Sequence, residues 1–127
     1  MRQKTEKRGF KPGDVVIVRN VPFHDKLGAK TRPMLVLSSD YHNQVRQDMV
    51  VAVISGQPVA GPWDLSVDCW QEAGLQRPSK VVCDSIITVL QESAVSVGHI
   101  DPETLDEIKV KVALILELCK ECDELDG

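Results

Sequence analysis

The fold is decided by a continuous apolar run, MVVAVIS at residues 49–55. Its length suits a strand, and its lack of polar alternation predicts burial on both faces of a sheet. Two β-rich runs precede it, DVVIVR at residues 14–19 and PMLVLS at residues 33–38. A half-exposed strand follows at residues 63–67, and residues 80–89 form one bent or two short strands. Short strands between Gly/Pro loops predict a small barrel or sandwich.

The end of the chain has a helical period instead. The tripeptide Asp101-Pro102-Glu103 has the features of a helix start, with Asp at the N-cap and Pro at the first helical position. Apolar residues then recur at spacings of three and four, as on one face of an amphipathic helix: Leu105, Ile108, Val112, Ile115, Leu116 and Cys119. The residues therefore predict a mainly β domain, a small barrel with a C-terminal helix packed on it.

A length of 127 residues suits one domain. We predict a basic, flexible extension at residues 1–11, a barrel domain at residues 12–120 and an acidic tail at residues 121–127. No apolar run reaches the ~18–20 residues that span a bilayer. No apolar segment follows the basic N-terminus, as it would in a signal peptide. These features predict a cytoplasmic protein with no membrane partner.

The charge distribution allows only a local basic site. With 15 basic and 19 acidic residues, the net charge of −4 argues against a protein that coats nucleic acid through bulk charge. Residues 101–127 are acidic, whereas residues 19–32 hold four basic side chains against Asp25. We therefore expect any contact with nucleic acid to be confined to one small region of the surface.

Four cysteines leave three states open: disulfides, metal ligands or free thiols. Only Cys119 and Cys122 have CxxC spacing, and a zinc site needs a second pair, which Cys69 and Cys83 do not form. The low cysteine density and the absence of a signal peptide favour reduced thiols. We expect neither a metal nor a cofactor.

Two strand ends carry the residues best suited to chemistry. The segment Lys30-Thr31-Arg32-Pro33 stands at a loop-to-strand junction, and Ser55 ends the buried strand. Pro33 restricts Arg32 to an extended conformation. A guanidinium offers a planar fork of donors that matches a phosphate. Taken alone, however, these residues are also typical of a surface arginine and a strand-end serine.

An ordered set of motifs resembles the MazF/PemK toxin family. The motifs are GDVV at residues 13–16, GAKTRPMLVLS at 28–38, VAVIS at 51–55, DCWQEAGL at 68–75, Pro78-Ser79, VCD at 82–84 and DPETL at 101–105. The resemblance covers roughly residues 10–118. It implies a toxin of a type II toxin–antitoxin pair with a small SH3-like barrel of the MazF/PemK/CcdB type.

The resemblance also implies an activity and partners. The activity is metal-independent, sequence-selective cleavage of single-stranded RNA to 2′,3′-cyclic phosphate and 5′-OH ends. The partners are the RNA substrate, a cognate antitoxin with an acidic flexible segment, a second copy in a homodimer, and DNA only through the antitoxin complex. The implied catalytic residues fall on Arg32, Ser55 and Asp84.

The residue types fit metal-free cleavage. Arg32 stays protonated and suits stabilisation of the phosphorane charge, and Ser55 can donate to a non-bridging oxygen. Asp84 suits the general base only if burial raises its pKa, and otherwise orients Arg32. His24 has the better intrinsic pKa for proton transfer, although a lone loop histidine is more often simply solvated. The residues expected to bind RNA are Arg19, His24, Lys26, Lys30 and Gln57.

Departures from the family pattern keep two alternatives open. Ser85 and Ile87 stand where many members have Gln and Arg, and Ser55 stands where most have Thr. One alternative is a non-enzymatic, CcdB-like toxin that acts on a protein target. The other is a catalytically silent member that binds a protein or RNA partner. Arg32-Pro33 in register with Ser55 favours the nuclease, because a poison of a protein target needs neither.

Overall fold

Six strands and two helices make up the part of the chain that the computed structural model describes, which is residues 9–22 and 29–118. In chain order they are β1 (Asp14–Pro22), β2 (Ala29–Val36), α1 (Asp40–Val45), β3 (Asp48–Ser55), β4 (Asp64–Val67), β5 (Ser79–Leu90), β6 (Ala94–His99) and α2 (Pro102–Ile115). A single 3-10 turn, Gln91–Ser93, joins β5 to β6.

The strands form one antiparallel sheet in the order β4-β5-β3-β2-β1-β6. The predicted fold class, mainly β with a C-terminal helix, is confirmed. Within the described residues β4 and β6 remain the two edges, so hydrogen bonds do not close the sheet into a complete barrel. Strand β5 bends where its register with β3 shifts between Ala52 and Val53, which makes the segment at residues 80–89 one bent strand.

A hydrophobic core lies on each face of the sheet, because side chains alternate along the strands. On β3, Ala52 and Ile54 pack into one core, whereas Met49 and Val51 pack into the other. All four side chains are almost completely buried. The predicted burial of this strand on both faces is therefore confirmed.

Helix α2 covers the first of these cores. Its N-cap, Asp101, accepts a hydrogen bond from the Thr104 N–H at 3.1 Å, as the sequence predicts. Ile108 is completely buried, and Leu105, Val112 and Ile115 pack beside it. None of the helices in the described part of the chain is long and apolar enough to cross a membrane.

The structure differs from the sequence prediction mainly around β1, β2 and β6. The first two strands run into the predicted loop at residues 20–32, because they pair with each other as far as Pro22 and Ala29. Strand β6 was not predicted: its alternation is limited to Val95 and Val97, both exposed, and pairing with β1 makes the segment a strand. The acidic tail, Cys119 and Cys122 lie outside the described residues, as does most of the N-terminal extension.

Candidate functional site

A groove of about 590 Å³ opens at the end of β3, beside the core that α2 covers. We call it the Arg32 groove. Its lining comes from β1, β2, β3, the turn before β5, and β6: Ile17, Thr31, Arg32, Pro33, Ile54, Ser55, Gly56, Gly74, Leu75, Gln76, Arg77, Ser79 and Val97. The structure therefore brings together two of the three predicted catalytic residues, Arg32 and Ser55.

The groove exists because β2 and β3 separate at this point. Their pairing ends at Met34 and Val53, and continuing that register would place Arg32 directly opposite Ser55. Pro33 has no backbone N–H, so it cannot donate a further hydrogen bond from β2 to β3. Proline is tolerated at this position because β2 pairs only with β1 here. Arg32, within β2, and Ser55, the last residue of β3, therefore line the opening between the two separated strands.

The Ser55 hydroxyl is oriented by the chain that follows it. Its Oγ accepts a hydrogen bond from the backbone N–H of Gln57 at 3.1 Å. That bond uses an oxygen lone pair and leaves the hydroxyl hydrogen available for donation. Ser55 thus presents a hydrogen-bond donor at the groove beside the half-buried Arg32.

A buried ion pair anchors the loop that follows Ser55. Lys80, which pairs with Ser55 across the sheet, donates from Nζ to Asp64 Oδ2 at 2.6 Å and to the Pro58 carbonyl at 2.9 Å. The same Asp64 oxygen accepts from the Ala60 N–H at 2.8 Å. The hydrogen bonds from Lys80 and Ala60 hold the pKa of Asp64 below its ordinary value. The pair therefore ties the loop at residues 56–63 to the base of β5.

We expect Lys80→Met to lower the free energy of unfolding at pH 7 by about 3 kcal/mol, because it leaves a buried carboxylate without its cation. The lowered pKa of Asp64 means that this stabilisation is present above its ordinary pKa and is lost as the pH falls through the lowered value. The difference in free energy of unfolding between variant and wild type should therefore shrink below about pH 4. Urea unfolding at pH 7 and at successively lower pH measures this difference.

The matched control is Arg46→Gln, which breaks a surface ion pair with Asp48, 3.5 Å apart, in which the arginine side chain is 61% exposed. We expect that variant to lie within about 0.5 kcal/mol of wild type. If the two substitutions lowered the free energy of unfolding equally, the stabilising role of the buried ion pair would be contradicted.

The remaining predicted site residues do not line the groove. Asp84 is exposed on β5, within the stretch where the register with β3 shifts. Gln57 is exposed and contributes its backbone N–H to Ser55, and Arg19 is exposed on β1. His24, Lys26 and the side chain of Lys30 lie outside the described residues. The roles assigned to these residues stay predictions.

The structure also shows where the tryptophans, two of the cysteines and the possible metal ligands lie. Trp70 packs against the first core, whereas Trp63 is 37% exposed with the Lys111 ammonium 5.9 Å from its ring centroid. Neither tryptophan lines the groove. Cys83 is buried and Cys69 exposed, both as free thiols, and burial raises the pKa of Cys83 to about 11. In the described part of the chain no group of three His, Cys, Asp or Glu residues is placed to hold a metal ion.

The turn before β5 was not predicted to be part of the site. Gln76, Arg77 and Ser79 reach the groove because Gly74 lies against the backbone of β6. One signal in the sequence pointed to this turn. The dipeptide Arg-Pro occurs twice, at Arg32-Pro33 and at Arg77-Pro78, and the structure places both arginines at the same groove.

Comparison with known proteins gives one family and one fold. The model of the PemK-like, MazF-like toxin of type II toxin–antitoxin systems matches residues 11–116. A search of curated proteins finds no match.

Several solved structures are similar to this chain, among them the following three. A MazE-MazF complex (Form-III) from Deinococcus radiodurans has a TM-score of 0.72 at 20% identity, covering 86% of this chain and 97% of that one. MazF (Form-I) from the same organism has a TM-score of 0.70 at 21% identity, covering 85% and 96%. An endoribonuclease in complex with its cognate antitoxin from Mycobacterial species has a TM-score of 0.69 at 20% identity, covering 87% and 97%. At these identities the likeness shows a shared fold.

Proposed function

Because this chain belongs to the PemK-like, MazF-like toxin family of type II toxin–antitoxin systems, we propose that it is a metal-independent endoribonuclease. Its substrate is single-stranded RNA, and cleavage takes place in the Arg32 groove. The observation that carries the proposal is the position of Arg32, within β2, and Ser55, at the end of β3, in the lining of one groove. The mycobacterial endoribonuclease of the same fold supports it.

The proposed reaction is an internal transesterification. The ribose 2′-OH attacks the adjacent phosphorus, the P–O5′ bond breaks, and the products are a 2′,3′-cyclic phosphate and a 5′-OH end. The 2′-OH loses its proton to a base, and the leaving 5′ oxygen gains one. No metal is needed for this balance, because the nucleophile is part of the substrate.

Arg32 and Ser55 supply the electrostatic part of this reaction. The guanidinium of Arg32 stays charged and donates two parallel hydrogen bonds to phosphorane oxygens, whose negative charge exceeds that of the ground-state phosphate. Ser55 donates its hydroxyl hydrogen to a non-bridging oxygen. The candidates for the base are Asp84 and His24, of which Asp84 lies outside the groove lining.

The partners proposed for this chain follow from the same site. Two neighbours of the same fold were solved with an antitoxin, the MazE-MazF complex and the mycobacterial complex. We extend this to a cognate antitoxin whose acidic segment occupies the Arg32 groove in competition with RNA. The groove suits such a segment because the charged residues in its described lining are two arginines, Arg32 and Arg77. We also propose a homodimer, as the family resemblance implies.

We expect the purified protein to cleave a long single-stranded RNA in the presence of EDTA and to leave 2′,3′-cyclic phosphate ends. Primer extension locates the cuts, and resistance of the 3′ ends to ligation, relieved by opening the cyclic phosphate, identifies the chemistry. The control is Arg32→Ala protein purified in parallel, which excludes a contaminating nuclease. Loss of cleavage on chelation, restored by magnesium, would overturn the mechanism. A folded protein that cuts no RNA would favour the non-enzymatic alternative.

A further inference from the structure

A second arginine, Arg77, lines the same groove as Arg32. Among the described lining residues these two are the charged ones, and none is acidic. The whole protein carries a net charge of −4, whereas the described lining of this groove holds two cations and no carboxylate. Such a groove attracts anionic groups. In the proposed reaction Arg32 contacts the scissile phosphate, whereas Arg77 has no assigned role.

The backbone of Arg77 is held in place on both sides. Pro78 restricts Arg77 to an extended conformation, as Pro33 restricts Arg32. The hydroxyl of Ser79 donates to the Arg77 carbonyl oxygen at 2.9 Å. Upstream, Gly74 packs against the backbone of β6 with a φ of +86°, a conformation that favours glycine. The turn that carries Arg77 is therefore tied to β5 and β6.

The side chain of Arg77 lies over Gly56, the residue after Ser55. A Cβ placed on Gly56 would come within 2.8 Å of Arg77 Cδ and 3.4 Å of its Nη1. Glycine at this position therefore leaves room for the arginine stem against the end of β3. The side chain of Arg77 thus lies beside Gly56, where β3 leads into the loop at residues 56–63.

We propose that Arg77 binds a phosphate adjacent to the scissile phosphate and so positions the RNA strand along the groove. The inference rests on the proposed function. Every nucleotide of an RNA strand brings one phosphate, so a strand that places its scissile phosphate at Arg32 and Ser55 presents a neighbouring phosphate to the next cation. Arg77 acts in binding, because this neighbouring phosphate keeps the same charge in the ground state and in the transition state.

The first test separates binding from turnover. After the cuts have been mapped on a long RNA, an oligoribonucleotide spanning one of them is the substrate, and its 2′-O-methyl analogue is the binding probe. Arg77→Gln should raise KM and the Kd of the probe about tenfold, with kcat within twofold of wild type. The slope of log Kd against log salt should fall by about 0.7, as for one lost contact to a single strand.

Arg46→Gln is the matched control, because it removes the same charge from an exposed side chain away from the groove. It should change neither KM nor the salt slope. A second substrate carries a neutral methylphosphonate at the phosphate on one side or the other of the cut. At one of the two positions, the methylphosphonate should raise the KM of wild type about tenfold and leave the KM of Arg77→Gln unchanged. That position identifies the phosphate that Arg77 contacts.

Gly56→Ala tests the position of Arg77 without removing its charge. The added Cβ must displace the Arg77 stem, so KM should rise. The KM of the double variant Gly56→Ala/Arg77→Gln should be no higher than that of Arg77→Gln alone. Unchanged KM and salt slope in Arg77→Gln, while wild type cleaves the RNA, would overturn the role of Arg77 alone. A folded wild type that neither binds nor cleaves RNA would overturn the proposed function, and with it this inference.

Discussion

Arg32→Ala is expected to lower the rate of single-turnover RNA cleavage by about 10²–10³-fold, and by more if the full positive charge matters. The arginine is assigned to the phosphorane, whose charge exceeds that of the bound phosphate. Its loss should therefore reduce turnover much more than RNA affinity. Arg32→Lys should recover little, because an ammonium cannot reproduce the two parallel hydrogen bonds of the guanidinium.

The comparison that makes this result specific is with Arg77→Gln. Both arginines line one groove, yet Arg32 should act on kcat and Arg77 on KM. The melting temperature of Arg32→Ala should stay close to that of wild type, since the side chain lines the groove and belongs to neither hydrophobic core. A folded Arg32→Ala protein that cleaves within a fewfold of wild type would remove Arg32 from the active site.

The largest expected effect on stability belongs to Gly98→Ala. The turn at residues 69–75 packs directly on β6, and a Cβ on Gly98 would lie 2.1 Å from the carbonyl oxygen of Ala73 and 3.0 Å from the backbone nitrogen of Gly74. Backbone atoms cannot rotate away as a side chain can. We therefore expect a loss of about 3 kcal/mol or more in the free energy of unfolding, seen as a fall of about 10 °C or more in Tm.

Gly61→Ala is the control for that substitution, because nothing lies within 4 Å of a Cβ placed there. It should be neutral or slightly stabilising, since alanine reduces the freedom of the unfolded chain. Thermal melts of the two variants at equal concentration measure the difference. Equal melting temperatures would mean that the turn and β6 are not in close contact. Any Gly98→Ala protein that still folds should also show altered RNA binding, because residues 69–75 lead directly to Arg77, which lines the groove.

Much of the fold was readable from residue patterns alone. The apolar run at residues 49–55 predicted a strand buried on both faces, and Asp101-Pro102 predicted the start of the terminal helix. These predictions succeeded because they depend on local chemistry, namely side-chain hydrophobicity, a missing N–H and a capping carboxylate. Strand β6 was missed because its apolar alternation is confined to two exposed valines, Val95 and Val97, and pairing with β1 completes the strand.

The sequence by itself determined the family, the main elements, and the two residue types at the centre of the site, Arg32 and Ser55. Only the tertiary structure decided that these two residues line one groove, because the register between β2 and β3 is a long-range property. It also brought Arg77, 45 positions after Arg32 in the chain, to the same groove and left Asp84 outside it. A contact between distant segments depends on how the sheet bends and on which turn packs on which strand. Both depend on the free energy of the whole fold, which no single segment of the sequence contains.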